Sequence, residues 1–214
     1  MKKFLLFLLL LFFSFSSYSQ PIVIEWQACF GTQYKEIVYD VCSTGDGYMI
    51  VAESHANSPR GVDILLIRTD IWGSLIWEKY LGGSSTDLPM RILPAGNDCY
   101  YLFAIAASQD GDISNNPYPG GMVNNWIVKI NGSGDIIWDK MYGGYCYDEG
   151  WDACLTHDGG MVSLGYTCSE DGDISNYYGM WDTWLLRTDS IGNKVWDFTI
   201  GTEFLDFPNA IIQT

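Results

Sequence analysis

The chain has 214 residues, with 26 Asp and Glu against 11 Lys and Arg, and its net charge of −15 excludes the basic footprint of a nucleic-acid binder. With 48% apolar, 15% aromatic and only 17% charged residues, it is no disordered acidic tail and has ample material for a packed core. The 23 Gly and 7 Pro punctuate that apolar content every few residues, which favours many short strands over long helices.

Lys2 and Lys3 precede an unbroken apolar run over residues 4–13 and a Ser-rich stretch ending Ser17-Tyr18-Ser19. This is the pattern of a secretory signal peptide spanning 1–19, with Gln20 first in the mature chain. The run is too short to cross a bilayer, so no transmembrane segment is expected once it is removed. The expected location is outside the inner membrane: periplasm, cell surface or extracellular space.

A repeat organises residues 20–214. Trp26, Trp77, Trp138 and Trp196 recur at intervals of 51, 61 and 58 residues. Five residues after each Trp stands a Gly, and five further on an acid: Glu36, Asp87, Asp148 and Asp206. Upstream of the last three Trp, Asp70, Asn131 and Asp189 are each followed three residues on by Gly73, Gly134 or Gly192. The units run over about 26–76, 77–137 and 138–195, with the start of a fourth over 196–214.

In chain order, each unit resolves into four strands. The first and second are expected at 36–44 with 48–54, 87–93 with 100–107, and 148–156 with 161–167, each pair joined by a Gly-rich turn. The third, at 64–69, 126–130 and 184–188, leads through the Asx-x-x-Gly turn into a fourth that carries the Trp. Four strands per unit at this period describe the blades of an all-β propeller, with the Trp as the wedge between blades. Residues 22–30 read as a lone fourth strand, and 210–214 align with the end of a first strand. The arc is therefore expected to be incomplete, a ring of about six to eight blades needing roughly 350 to 450 residues. Repeats beyond residue 214 would close it, with 22–30 completing the last blade.

The third unit carries a resemblance: Trp138, Tyr142-Gly143-Gly144, Asp148, Thr156, Asp158-Gly159-Gly160, Asp171-Gly172-Asp173-Ile174-Ser175, Trp184, Arg187, Asp189, Gly192-Asn193 and Trp196. It is similar to the secreted β-propeller repeat proteins of the phylum Bacteroidota. The first unit departs from that pattern in lacking the D-G-D loop, and the second has Ala95-Gly96-Asn97-Asp98 in place of D-G-G.

Strand alternation puts the acids Glu36, Asp87, Asp148 and Asp206 on the same face as the two D-G-D-I-S loops, making one rim acidic. Asp110, Asp112 and Ser114, with Asp171, Asp173 and Ser175, are candidate Ca2+ ligands because hard cations take clustered oxygens. The simpler reading makes these side chains caps for nearby backbone N–H groups. His55 and His157 are the only histidines, and His157 falls on the opposite face, so no catalytic triad is indicated. Of the six cysteines, Cys146 and Cys168 are placed to meet at two loops of one blade. The expected function is a binding or scaffold module for an extracellular glycan, protein or peptide, with a carbohydrate-active enzyme using the acidic loops as the alternative.

Overall fold

A computed structural model of the chain describes residues 24–56, 61–120 and 122–214. The expected signal peptide and residues 20–23, including the first two of the strand expected over 22–30, lie outside the described residues. The described chain is all-β: three four-stranded antiparallel sheets, each a meander in sequence order. The first holds β1 (Glu36–Ser43), β2 (Gly47–Ser54), β3 (Asp63–Asp70) and β4 (Leu75–Leu81). The second holds β5 (Asp87–Gly96), β6 (Cys99–Ala106), β7 (Asn124–Asn131) and β8 (Ile136–Tyr142). The third holds β9 (Asp148–Leu155), β10 (Met161–Thr167), β11 (Asp182–Thr188) and β12 (Lys194–Ile200).

Turn chemistry sets these boundaries. At each third-to-fourth-strand turn the Asx side chain accepts two backbone N–H bonds, as Asp70 does from Trp72 and Ser74, both at 2.8 Å. Asn131 and Asp189 repeat the arrangement, and Gly73, Gly134 and Gly192 have φ of 75°, 76° and 77°. In the second sheet, where D-G-G is replaced, β5 runs on to Gly96 and the chain reverses through Asn97 and Asp98, both at φ 52°. Two consecutive residues of positive φ make the tight hairpin turn that Asn and Asp tolerate best.

The sheets pack face to face through two apolar layers. Met49, Val51, Ile64 and Leu66 of the first sheet meet Leu102, Ala104, Trp126 and Val128 of the second. Tyr101, Phe103 and Ile127 of the second meet Ala153, Met161, Trp184 and Leu186 of the third. The first strands lie side by side, β1 against β5 and β5 against β9. Arg91 ties all three together, 2.9 Å from Asp40 and 2.5 Å from Asp152.

The fourth-strand Trp of the first and of the second sheet reaches into the next sheet's turn. A Cβ on Gly134 would fall 2.6 Å from Trp77 Cη2, and one on Gly192 would fall 2.8 Å from Trp138 Cη2. Lys79 and Lys140, two residues beyond those Trp, bond Asp135 and Asn193 of the same turns at 2.6 and 3.0 Å. Glycine is thus required twice at each turn, by its φ and by the indole. Gly134→Ala is expected to destabilise by about 2 kcal/mol or more, from left-handed strain plus overlap with Trp77. Gly96→Ala, at φ 77° with nothing within 4 Å of its Cβ position, carries only the backbone part, about 1 kcal/mol. Urea titration of the two variants checks the difference.

The two flanking segments correct the expected strands. Residues 24–30 form no strand, since among the described residues no third strand lies beside them to pair with. Trp26 nevertheless occupies the wedge position, its Cε3 2.5 Å from a Cβ placed on Gly73, with Tyr48 5.6 Å away between ring centroids. Residues 206–214 also form no strand, yet hold the register of one. Asp206 N–H donates to Trp181 O at 2.8 Å, as Asp87 does to Val62 and Asp148 to Val123. Ile211 N–H donates to Asp152 Oδ2 at 2.9 Å, as Ile92 does to Asp40 Oδ2 at 3.0 Å.

Candidate functional site: the acidic loop face

The repeated acid closes the loop in front of its own strand. Asp87 accepts from Gly83 N–H at 2.8 Å and from Ser108 Oγ at 2.6 Å. Asp148 accepts from Gly144 N–H at 2.6 Å, from Ser169 Oγ at 2.8 Å and from the Thr167 hydroxyl. Asp206 accepts from Thr202 N–H at 2.7 Å, and Glu36 from Thr32 Oγ1 at 2.6 Å. In every case one donor lies four residues upstream, and for Asp87 and Asp148 the side chain thereby spans the loop between two sheets. Asp87 and Asp148 are fully buried, whereas Glu36 is partly open. Burial pushes the Asp148 carboxyl up to about 6 against the pull of the Thr167, Ser169 and Gly144 donors, and burial likewise raises Asp87. Glu36, held by the Thr32 hydroxyl, is lowered.

The D-G-D-I-S loops clasp the same connections from the neighbouring side. Asp110 Oδ1 accepts from Ser84 N–H at 2.7 Å and Asp112 Oδ2 from Gly82 N–H at 3.1 Å. In the third sheet, Asp171 Oδ1 accepts from Tyr145 N–H and Asp173 Oδ2 from Gly143 N–H, both at 3.1 Å. Gly111 and Gly172, at φ 69° and 67°, pass so close to the Gly82 and Gly143 carbonyls that no side chain fits. Ile113 and Ile174 plug the two inter-sheet cores. Ser114 and Ser175 turn away from the loop acids, their N–H groups donating to Asp139 and Asp197 at 3.0 and 2.8 Å. The six oxygen-bearing residues are therefore not gathered around one point. Among the described residues no three acids, histidines or cysteines are grouped to hold a metal ion.

Several partners escaped the sequence reading. Trp126 and Trp184 donate their indole N–H to Asp139 and Asp197 at 3.0 and 3.3 Å, the same carboxylates that cap the serines. The signal for this set was present: the first unit lacks the D-G-D loop and has Leu65 where the others have Trp126 and Trp184. Asp63, Asn124 and Asp182, at the start of each third strand, are also buried on this face. Asp63 Oδ1 has no hydrogen-bond partner, and burial, then Asp87 and Asp112, raise its carboxyl.

Cys146 and Cys168 are joined in a disulfide that spans two loops of the third sheet. The second sheet has Ser85 and Ala107 at those places and closes without one. Around the disulfide the face turns aromatic: Tyr147 stacks on Trp181 at 5.8 Å, Trp181 lies 4.7 Å from Tyr166, and Tyr118 meets Tyr145 edge-on at 5.7 Å. Tyr145 and Tyr178 are exposed. The face as a whole holds its carboxylates inward on backbone N–H groups and turns its rings outward. No protein-family model matches the chain, and no curated protein matches it.

Proposed function

We propose that the chain is an arc of a secreted β-propeller of the Bacteroidota repeat type, and that it serves as a binding or scaffold module for an extracellular glycan, protein or peptide. The propeller reading rests on the identity of the joints: indole on turn glycine, acid across the connecting loop, and first strand beside first strand recur from sheet to sheet. The module reading rests on one observation above all. The acids that would serve a glycosidase are consumed in loop closure, and Asp148, whose raised pKa would suit a general acid, is fully buried under hydroxyl and amide donors. Calcium gains no support from that geometry, and the D-G-D loops act as clasps.

The test is a panel of glycans and peptides scored both for binding and for turnover, with wild type beside Asp173→Asn. Binding without turnover is expected. Hydrolysis of any panel member that disappears in the variant would overturn the module reading in favour of the enzyme. Melting curves taken with Ca2+ and with chelator are expected to coincide.

A further inference from the structure

We infer that the third sheet carries an aromatic cage for a cationic side chain, with lysine of a partner protein or peptide as its occupant; this rests on the binding-module reading. A cleft of about 250 Å³ is lined by Trp151, Tyr166, Phe207 and Pro208. Trp151 is the residue bulged out of β9, since Gly150 pairs with Gly165 and Asp152 with Leu164, and it is 52% exposed. Phe207 is 59% exposed and meets Tyr166 at an interplanar angle of 82°, with centroids 5.2 Å apart. Trp181 backs both rings, 4.7 Å from Tyr166 and 6.3 Å from Phe207. Three aromatic side chains thus border one small opening, and the negative faces of such rings attract a compact positive charge. A sugar ring would instead ask for a single flat platform.

The charge of the site points the same way. Glu149 pairs with Tyr166 across β9 and β10 and accepts a hydrogen bond from the Tyr166 hydroxyl, so a carboxylate stands at the tip of one ring of the cage. The first sheet shows what such a place takes. Glu53 occupies the register of Tyr166, accepts from Tyr39 Oη at 3.1 Å, and is filled by Lys35 Nζ at 2.7 Å and faced by His55 Nε2 at 3.6 Å. Lys35 immediately precedes the repeated acid; in the third sheet that position is Tyr147, so the internal cation is replaced by a ring. No described basic side chain is left to supply one. Lys35, Arg68, Lys79, Arg91, Arg187 and Lys194 are paired with carboxylates elsewhere, Lys129 lies over Tyr101 and Lys140 over Trp138. On a chain of net charge −15, an external ammonium is the complementary occupant.

The probes are Nα-acetyl-lysine amide, its trimethyl-lysine analogue, and the neutral isostere with a tert-butyl head, titrated against the whole chain by Trp fluorescence and calorimetry. The two cations are expected to bind with millimolar affinity and the isostere roughly tenfold more weakly. Trp151→Ala and Phe207→Ala, both at exposed positions, are expected to abolish the difference without moving the melting temperature. Glu149→Gln is expected to weaken the cations and leave the isostere unchanged. Equal binding of cation and isostere would overturn the cage, as would undiminished cation binding by Trp151→Ala. Ligands found by the glycan and peptide panel but indifferent to these variants would also overturn it, while leaving the module reading in place.

Discussion

Trp138→Ala is expected to lower stability by about 3 kcal/mol, the lower end of the range for removing a packed Trp, because the indole is only partly covered. Trp196→Ala, at the same register of the third sheet, is expected to stay within about 0.5 kcal/mol of wild type. The difference lies in the partner alone. Trp138 sits on Gly192, meets Tyr101 at 5.7 Å, and carries Lys140 above its ring at 5.9 Å. Trp196 has no following turn among the described residues and is 43% exposed. Chemical denaturation of the two variants, with Trp77→Ala alongside, measures the joint against its own unfilled copy. Equal losses for Trp138 and Trp196 would show that the indole acts within its own sheet and does not join two.

The second large effect is at Asp148. Its ordinary carboxyl value of 3.8 becomes about 6 in the folded chain, raised chiefly by burial. A raised acid contributes stability that is fully present below 3.8 and is lost as pH rises through about 6. Two units correspond to about 3 kcal/mol, so stability is expected to fall by roughly that amount between pH 4 and pH 7, with buried Asp87 adding to the trend. Lowered groups such as Glu36 work in the opposite sense, losing their contribution as pH falls. Asp148→Asn is expected to flatten the decline, and Asp148→Ala, which strands the Gly144, Thr167 and Ser169 donors, to flatten it as well and to cost more at pH 4 than at pH 7. Unfolding midpoints in denaturant across that pH range, for wild type and both variants, report each outcome.

Much of the fold was legible because its signals are local. The Asx-x-x-Gly turns, the Gly-rich turns and the acid before each first strand fix where strands begin and end, and β1, β5 and β9 start on Glu36, Asp87 and Asp148 as the spacing predicts. The strand expected over 22–30 is not formed over the described residues 24–30 for a related reason: strand pairing depends on a neighbour, and the local sequence cannot supply one. The loop chemistry was half legible. D-G-D-I-S reads equally as a cation loop or as a set of caps, and the choice is made by the backbone N–H groups of Gly82 and Ser84 and of Gly143 and Tyr145, which lie 26 to 30 residues away in sequence and are presented to the carboxylates. Arg91 between Asp40 and Asp152, and the ring arrangement around Trp151, were not legible at all. Both depend on β-bulges in first strands, which rotate a side chain out of the alternation that sequence periodicity assumes.

The indole on the neighbouring turn has a consequence for how such a chain can lengthen. Half of each joint, the Trp, lies in the fourth strand of one sheet, and the other half, the turn glycine, lies just before the fourth strand of the next. A gene segment of one period, copied in tandem from any starting point, therefore brings both halves with it, and every new copy finds a socket for its Trp and offers a socket to its neighbour. Copy number is free to drift by whole units without a single compensating substitution, whereas loss of one turn glycine breaks a joint in the middle of the array.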